Sequence, residues 1–456
     1  MWTLPPRKSR IEAEPQSPLQ FHPRSNGEFP AWDPTPREIA ADRLFHAAAA
    51  DKAKRLGMSR RKFIESAAGM ATALVVLNQV MGCRLYEVDE DHTYDPDRAK
   101  GLLAPEQFIF DGHTHPRDEL GSEEFLRAMF INSTTTLACI TVGQGPGTGP
   151  DDTQGWAEHV ADRELANRIS GGTRIVIQGK VWPKRAGVAT LDQAQLDAME
   201  TMALDWKVAA WKTYPHEADN WRLDDEAIGI PFIERGRQLG IKVFSIHKGL
   251  GTSSPVDVPW AARLYPDCVF NVFHAGVDSD YTEGEYDPAN TKGLDRLIAA
   301  WDAAGNPGNV YADLGSIWNT YSVGSADAAG HMLGKLLKHL GEDRICWGTD
   351  ALVIGQPAPQ IASFNAFQIP QALQDEHGYP ALTDLAKAKI LGLNTARIYG
   401  IDPKAALKAV SDDALARARA LVEAGEAPYR PHYGWGPRTR REFFAMLRGE
   451  RRETRT

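Results

Sequence analysis

The chain has 456 residues, of which 43% are hydrophobic and 24% are charged, and its formal net charge is −9. This composition is typical of a globular protein with a large core, and the acidic balance argues against general nucleic-acid binding. The four cysteines are few for this length and lie far apart, so we expect no disulfide framework.

The first 57 residues differ in composition from the rest of the chain. Residues 1–36 are rich in proline and polar side chains, which predicts disorder. Residues 37–56 are rich in alanine and predict a helix that Gly57 ends. We interpret residues 1–57 as an extended, partly disordered region that precedes the next motif.

Residues 58–83 resemble a twin-arginine export signal. Arg60 and Arg61 are followed by Phe63 and then by an apolar run of small residues over 66–80. That run is shorter than the roughly 20 residues that a membrane-spanning helix needs. The alternative is an amphipathic helix that happens to contain two arginines, and Met58 is an alternative start of the chain.

The end of this segment resembles a lipoprotein cleavage box, with the sequence Val-Met-Gly-Cys at 80–83. Cys83 would then be the acylated N-terminus of the mature protein; the alternative is an ordinary cysteine behind an uncleaved anchor. Either way, we expect export by the twin-arginine machinery to the periplasm or to a membrane-anchored state. Residues 84–105, with an acidic cluster, are interpreted as a linker.

From residue 106 onward, short apolar runs alternate with longer helical stretches. Eight such runs begin roughly 30–40 residues apart, the spacing of βα units. The predicted strands are 108–110, 136–142, 174–179, 208–212, 242–247, 269–274, 310–314 and 345–350. The main predicted helices are 122–132, 155–169, 191–205, 231–239, 294–304 and 326–340. This pattern predicts an α/β fold, a (β/α)₈ TIM barrel over 106–402. An open doubly wound sheet is the alternative, weakened by the lack of a glycine-rich phosphate loop after the first strand.

The predicted strands end in chemically competent side chains, which in a barrel meet at one face. His113 and His115 are two residues apart, so on a strand both imidazoles face the same side and suit one metal ion, although a surface His-x-His is also common. Further groups of this kind end strands four, five, six and eight: Lys212, His247, His274 and Asp350.

This set of strand ends resembles the amidohydrolase superfamily of metal-dependent barrels. Phe-Asp-Gly-His-Thr-His-Pro at 110–116 and Trp-Gly-Thr-Asp at 347–350 are most similar to its amidohydrolase-related branch, which holds hydrolases and decarboxylases. Residues 390–400 resemble the helix that closes that domain. The resemblance covers about residues 106–402, and it indicates the superfamily without indicating a substrate.

The resemblance implies a ligand set and a mechanism. His113, His115, His247 and Asp350 correspond to ligands of one divalent ion, for which zinc is the expected metal. Such an ion lowers the pKa of bound water to roughly 7, and Asp350 accepts the proton of that water. His274 then polarises the substrate carbonyl or binds a second ion.

Lys212 has three interpretations. In binuclear relatives the lysine of strand four is carboxylated and bridges two metal ions, so Lys212 is a candidate bridge. An unmodified ammonium next to a dication is unfavourable, which leaves contact with an anionic substrate as the second interpretation. The third is a lysine that merely extends to solvent at the barrel mouth.

Residues in the predicted loops are candidates for the substrate pocket. Four side chains follow strand ends and are candidate pocket walls, although packing explains each equally well: Arg117, Trp182, Tyr214 and His216. Asp313, near the end of strand seven, either supports the site or is solvated. The extension over 403–456 is predicted to be helical, and its strongly basic end suggests either a solvated helix or contact with a membrane surface or with a neighbouring subunit of a homo-oligomer.

Three functions are compatible with this pattern. The first is a metal-dependent hydrolase that acts on a C–N or C–O bond of a small molecule. The second is a metal-dependent decarboxylase on the same barrel. The third is a non-catalytic exported binding lipoprotein, against which the complete set of metal-competent residues argues.

Overall fold

Eight parallel strands form one sheet in which the strand order follows the chain. The computed structural model describes residues 16–22, 33–82, 84–116, 121–141, 153–185, 187–215, 220–249, 253–278, 281–352, 354–431 and 439–445. The strands are β1 (Phe110–Thr114), β2 (Leu137–Ile140), β3 (Ile175–Lys180), β4 (Ala210–Thr213), β5 (Val243–His247), β6 (Val269–Phe273), β7 (Val310–Asp313) and β8 (Ile345–Cys346). Every predicted strand is present, with boundaries shifted by a few residues.

Backbone hydrogen bonds join the first strand to the segment that follows the last one. The amide of Gly112 donates to the carbonyl of Trp347 at 3.0 Å, and the amide of Asp350 donates to the carbonyl of His113 at 2.9 Å. Thr114 and Ala351 form an isolated parallel bridge. The sheet is therefore a nearly closed barrel, and the predicted (β/α)₈ fold is confirmed.

Helices surround the barrel, and further helices precede and follow it in the sequence. They are α1 (Pro36–Arg55), α2 (Arg60–Ile64), α3 (Ala67–Met81), α4 (Pro96–Leu103), α5 (Gly121–Leu126), α6 (Thr153–Ser170), α7 (Gln193–Leu204), α8 (Gly229–Gln238), α9 (Val258–Leu264), α10 (Gly293–Ala303), α11 (Ile317–Gly324), α12 (Ala326–Lys335), α13 (Pro357–Ala366), α14 (Gln371–His377), α15 (Asp384–Ala388), α16 (Asn394–Ile398), α17 (Pro403–Val410) and α18 (Ala414–Glu423). Single π-helical turns occupy Arg127–Ile131, Leu336–Leu340 and Lys389–Leu393. Short 3₁₀ turns occupy Glu90–Thr93, Pro255–Asp257, His274–Gly276 and Glu342–Arg344.

Alternate strand residues face opposite sides of the barrel wall. The large apolar residues on the outside pack against the helices: Phe244 stacks on Phe270 at 5.6 Å between ring centroids and meets Phe232 of α8 at 5.3 Å. Polar residues lie on the inside, where the amide nitrogen of Gln178 donates to Ser245 Oγ at 3.1 Å. The alternation therefore separates an apolar outer layer from a polar interior, and the candidate functional residues lie in the interior.

The helices before the barrel are capped by their own sequence. Thr35 and Glu38 form a reciprocal capping box at α1, with Pro36 at its first turn. Ser66 accepts from the Gly69 amide at the start of α3, and Gly82 ends that helix in the left-handed conformation. A Cβ on Gly69 would lie 2.3 Å from the carbonyl oxygen of Phe63, so glycine permits the close contact of α2 with α3.

The apolar run that resembles an export signal forms α3 and belongs to the same hydrophobic core cluster as the barrel. Leu74 and Leu77 are buried, and α3 contacts α1, α4 and α13. The described residues include no helix with the length and hydropathy needed to cross a membrane. Cys83, the candidate lipidation site, lies outside the described residues, and the export interpretation stays a prediction.

The structure differs from the sequence interpretation at two N-terminal segments. Leu19 and Phe21 are buried, although residues 1–36 were expected to be disordered; of these, 1–15 and 23–32 lie outside the described residues. Residues 84–104, interpreted as a linker, fold onto the barrel. The Tyr86 ring meets Phe367 at 5.9 Å, its hydroxyl donates to the carbonyl of Ser322, and burial raises the pKa of Tyr86. The buried aromatic surface explains why this acidic segment is held to the barrel.

Candidate metal centre

The first strand brings two imidazoles together at the carboxyl end of the barrel. The Nε2 atoms of His113 and His115 lie 3.0 Å apart, and both residues are buried. Asp350, which follows β8, places Oδ1 3.2 Å from His115 Nε2 and 3.6 Å from His113 Nε2. The backbone bonds between β1 and the segment after β8 hold these residues side by side.

These three separations fit a metal ion. Four ligands at roughly 2.1 Å around a tetrahedral zinc ion lie about 3.4 Å from one another. The observed distances of 3.0, 3.2 and 3.6 Å fall around that value. Two imidazoles and a carboxylate are also donors that zinc accepts. The donor set therefore fits a divalent ion both in chemistry and in spacing.

Two further histidines complete the group. One donor atom from each of His113, His274 and Asp350 lies within 4.8 Å of the others. His247 ends β5, and its ring centroid lies 4.7 Å from that of His274. The structure thus gathers all four predicted histidines and the predicted aspartate in one buried cluster.

Hydrogen bonds fix which nitrogen of each ring faces the cluster. His274 Nδ1 lies 2.8 Å from the carbonyl oxygen of Gly315, which can only accept, so this nitrogen carries the proton. His113 Nδ1 lies 2.9 Å from Asp313 Oδ1 and likewise donates. In the neutral rings the Nε2 atoms therefore keep a lone pair for a metal ion.

Asp313 and its glycine neighbours support His113. Of the two alternatives for Asp313, the structure shows the supporting one: the carboxylate is fully buried and accepts from His113 and from the amide of Gly315. A Cβ on Gly348 would lie 2.3 Å from Asp313 Oδ2 and 2.6 Å from His113 Cβ. The glycine of the Trp-Gly-Thr-Asp motif is thus required for space.

Asp111, on β1, connects this strand to Thr349 in the segment that follows β8. Its carboxylate accepts from Thr349 Oγ1 at 2.5 Å and from the Thr349 amide at 3.0 Å. Burial raises the pKa of Asp111 to about 7, against the lowering effect of these hydrogen bonds. Burial also lowers the pKa of His113 to about 4, which keeps this ring neutral at physiological pH.

Backbone strain is concentrated at the same place. His274, Ser316 and Asp350 adopt positive φ angles of 56°, 58° and 59° without being glycine. Ser316 donates a short hydrogen bond to Asp350 Oδ2, which leaves Oδ1 facing the histidines. Such conformations cost energy and occur mainly where the surrounding structure imposes them for function.

Lys212 lies beside this cluster and is fully buried. Its Nζ is 3.4 Å from the centroid of the Phe273 ring, and that ring stacks on His113 at 3.8 Å. The pocket-wall candidates Trp182 and Tyr214 also lie here, with the Tyr214 ring 5.3 Å from that of His247. Arg117 and His216 lie outside the described residues, so their placement stays a prediction.

Sequence reasoning missed several residues that shape the site. Lys180, the last residue of β3, is buried beside Lys212, whereas the predicted strand ended one residue earlier. A search of all eight strand ends with a margin of one residue would have found it. The contacts of Ser316 with Asp350 and of Asp111 with Thr349 carry no signal in the sequence, because each joins distant parts of the chain.

Solved structures to which this chain is similar include several enzymes. An amidohydrolase from Burkholderia multivorans with bound zinc is 16% identical, with a TM-score of 0.43 and coverage of 65% of this chain and 100% of that chain. 5-Carboxyvanillate decarboxylase from Sphingomonas paucimobilis is 14% identical, with a TM-score of 0.39 and coverage of 65% and 99%. 4-Oxalomesaconate hydratase from Rhodopseudomonas palustris is 13% identical, with a TM-score of 0.41 and coverage of 66% and 98%. Likeness at this level carries no information on the reaction of this chain.

A comparison with curated protein sequences found no significant match. The amidohydrolase family model, in contrast, matches residues 110–401, which is more than half of the chain. The matched region begins at β1, includes every member of the histidine and aspartate cluster, and ends after the helix that closes the barrel. The chain belongs to the amidohydrolase family.

Proposed function

We propose that this protein is a metal-dependent hydrolase that cleaves a C–N or C–O bond of a small organic molecule with one zinc ion. The observation that supports it most is the spacing of His113 Nε2, His115 Nε2 and Asp350 Oδ1, which matches the edges of a tetrahedral ligand set. We assign His247, whose ring lies 4.7 Å from that of His274, as the fourth ligand. His274 stands beside the set, with a donor atom within 4.8 Å of those of His113 and Asp350. A second ion between His247 and His274 is the alternative stoichiometry.

Individual residues of the site have separate roles in the proposed reaction. A divalent ion held here supplies Lewis acidity, which polarises a carbonyl group and makes water nucleophilic at neutral pH. Asp350 would hold the ion through Oδ1, which faces the histidines while Ser316 donates to Oδ2. The same carboxylate is the group that would accept the proton of the attacking water. His274 donates a hydrogen bond from Nδ1 to the carbonyl oxygen of Gly315. Its Nε2 would therefore face the ion or, when the ring carries a second proton, the substrate oxygen.

Decarboxylation is the second candidate reaction, because the same donors serve a carboxylated substrate. The two reactions differ in a product that is easily measured, since only the decarboxylase releases CO₂ from a substrate whose other bonds stay intact. The fixed tautomers of His113 and His274 suit either reaction. A non-catalytic binding role would show neither product.

The cellular location is a separate proposal. We infer export by the twin-arginine route, from Arg60, Arg61 and Phe63 and the apolar run behind them. Replacing both arginines with lysine should retain the protein in the cytoplasm, as measured by cell fractionation. Acylation at Cys83 should be lost in a Cys83→Ser variant, as measured by incorporation of labelled fatty acid.

The first experiment is metal content per chain in the purified full-length protein, beside Lys212→Ala and His115→Ala variants. One zinc ion per chain in the parent protein and in Lys212→Ala, with loss in His115→Ala, is the expected result. Two ions, falling to one or none in Lys212→Ala, would replace the single-ion proposal with a carboxylated bridge. No metal in the parent protein, after growth with zinc, iron or manganese, would contradict the enzyme proposal.

The substrate screen follows from that result. Lactones, esters and amides test hydrolysis, and carboxylated aromatic and enoic acids test decarboxylation by CO₂ release. Activity that disappears in His115→Ala and in Asp350→Asn is expected for either reaction. Activity that survives in both variants would contradict the assignment of the site.

A further inference from the structure

Residues 16–22 form a short segment, without helix or strand, that precedes the N-terminal helices. Three of its side chains are nevertheless buried: Ser17, Leu19 and Phe21. The Phe21 ring lies 5.8 Å from the ring of Phe45, which belongs to α1. His22 Nδ1 lies 3.3 Å from Glu38 Oε2 of the same helix. The end of the segment is therefore attached to α1.

The middle of the segment contacts the mouth of the barrel. Between β8 and α13 lies a loop, residues 347–352 and 354–356, that we call the β8 loop. Leu19 and its two neighbours in sequence line a small cavity together with residues of α11, of the β8 loop and of α13. The barrel side of this cavity consists of Asn319, Ile354, Gly355, Gln356, Pro359 and Gln360. The segment thus packs on the face of the barrel that carries the candidate metal centre.

The β8 loop connects this contact to the candidate metal centre. The loop contains Asp350, and its Leu352 amide donates to the carbonyl of His115 at 3.2 Å. Ile354 and Gln356, which meet the segment at the cavity, are buried. Release of the segment would therefore expose a loop that carries one candidate ligand and is hydrogen-bonded to another.

The candidate metal centre is closed to solvent in this conformation. His115 is only 6% exposed. The other members of the cluster have no exposed surface: His113, His247, His274 and Asp350. A substrate can reach these groups only after part of the surrounding structure moves, as in enzymes whose sites are closed by loops. The β8 loop and the segment packed on it are an element whose movement would open the site.

The contact between the segment and the barrel mouth is incompletely satisfied in hydrogen bonds. Three buried polar atoms at the cavity have no hydrogen-bond partner among the described residues: Gln20 Oε1, Asn319 Nδ2 and Gln360 Oε1. Burial of a polar group without a partner costs free energy, whereas water satisfies the group when the contact opens. The contact therefore combines an apolar anchor, Leu19, with polar groups that favour release, which suits a segment that opens and closes.

We propose that residues 16–22 are an autoinhibitory latch that holds the β8 loop closed over the candidate metal centre. While the segment is docked, substrate and metal ions are kept from the site. When the segment leaves, the β8 loop becomes free to open. This inference rests on the proposed function for the role of the site that the latch closes, but the latch itself can be tested without measuring activity.

The test is acylation of histidines by diethyl pyrocarbonate in the full-length protein after chelation, with the rate at each site measured by mass spectrometry. The reagent acylates neutral imidazole nitrogens that it can reach. His22 reports undocking of the segment, and His115 reports opening of the candidate metal centre. His92, which is buried in the turn between α3 and α4, reports unfolding of the N-terminal helices.

Leu19→Asp places a charge at the apolar anchor and should undock the segment. We expect His22 and His115 to react about tenfold faster, the effect of a modest change in the free energy of local opening, while His92 keeps its parent rate. Leu19→Ala, which weakens the anchor without adding a charge, should give the same pattern with a smaller increase. Asp33→Asn, at an exposed position just before α1, is the control and should change none of the three rates.

Three outcomes would overturn the latch. Faster reaction of His22 with an unchanged rate at His115 would mean that the segment leaves without opening the site. Unchanged rates at both histidines in Leu19→Asp would mean that Leu19 does not hold the segment in place. A rise at His92 in both Leu19 variants would mean that the N-terminal helices unfold as a whole, which contradicts a local latch.

Removal of zinc by an excess of chelator gives a second readout in the zinc-loaded protein. Leu19→Asp should lose zinc about tenfold faster than the parent protein and bind the same amount at saturation, because the latch controls access and not the ligands. Equal rates of zinc loss would contradict the latch. A parent protein that binds no zinc would contradict the proposed function instead, and the histidine rates would then decide the latch by themselves.

Discussion

Asp313 shows how a single carboxylate prepares a candidate metal ligand. It accepts the Nδ1 proton of His113 at 2.9 Å while the Gly315 amide, at 3.0 Å, holds the same oxygen in place. The charge makes the imidazole a stronger donor, and the hydrogen bond fixes its tautomer and orientation. The tautomer and orientation of His113 therefore depend on a residue 200 positions away in the chain.

Asp313→Asn tests this role with little change in shape. We expect zinc affinity to fall by roughly 10–100-fold, the usual cost of losing a partner behind a metal ligand. Competition with a chromophoric chelator measures the affinity. Asp302→Asn, at an exposed position of α10, is the matched control and should bind zinc like the parent protein. Equal affinity in both variants would mean that His113 needs no orienting carboxylate.

Gly348 is the second residue on which the metal site depends for purely spatial reasons. Gly348→Ala introduces a methyl group at 2.3 Å from Asp313 Oδ2 and 2.6 Å from His113 Cβ, so one of the two must move. We expect loss of most zinc binding, measured as metal per chain after dialysis. Gly101→Ala is the control, because a Cβ there meets nothing within 4 Å and its site lies on α4. Full zinc occupancy in Gly348→Ala would show that the pair tolerates displacement.

At the scale of elements, the sequence predicted the strands well because buried parallel strands are continuous apolar runs. It predicted which histidines and which aspartate lie together, because the functional residues of barrels lie at strand ends. It missed Lys180 because strand boundaries are uncertain by a residue or more. The predicted third strand ended at residue 179, so Lys180 was not considered as a candidate site residue. It also left the role of Asp313 open, because the sequence of β7 shows only that an aspartate ends the strand.

The helices before the barrel were harder to interpret from sequence. An apolar helix of small residues suits an export signal and a buried core helix equally well, and composition does not separate the two. In the structure, Leu74 of α3 is buried in the core cluster that includes the barrel helices. The segment therefore has a structural role in the folded chain, whatever its role in targeting.

This structural role has a measurable consequence. Leu74→Ala should lower the free energy of unfolding by about 2–5 kcal/mol, because a large core side chain is removed and the cavity fills only partly. Gln79→Ala changes an exposed residue of the same helix and should stay close to the parent protein. Both are measured by chemical denaturation of the full-length chain. Equal stability of the two variants would indicate that α3 contributes nothing to the fold, as a detachable signal would.

At the scale of the whole molecule, one buried ion pair ties the C-terminal extension to the barrel. Arg174, at the start of β3, donates to both carboxylate oxygens of Asp413, at 2.7 and 2.9 Å. It also donates to the carbonyls of Thr136 and Val410. Asp413 accepts in addition from Ser170 and from the amide of Ala416, which caps α18. The pair thus joins the residues that directly precede β2 and β3 to helices α17 and α18.

Asp413→Asn should therefore destabilise the protein by about 3–5 kcal/mol at neutral pH, because it leaves the buried Arg174 guanidinium without its counter-charge. Asp412→Asn is the control, since the Asp412 side chain is 87% exposed and lies 3.6 Å from Arg417, whose side chain is 61% exposed. Burial alone would raise the pKa of Asp413, but the hydrogen bonds from Arg174, Ser170 and the Ala416 amide outweigh it and lower that pKa.

A lowered pKa gives this prediction a pH dependence of definite sign. The stabilisation by Asp413 is complete above the ordinary carboxyl value of 3.8 and is lost as the pH falls through the lower value in the folded protein. The stability difference between the parent protein and Asp413→Asn should therefore be constant from pH 8 to about 5 and shrink below about 4. Denaturation midpoints across this range measure it. A difference that persists unchanged at pH 3, or that is equally large for Asp412→Asn, would show that the charge of Asp413 does not carry the coupling.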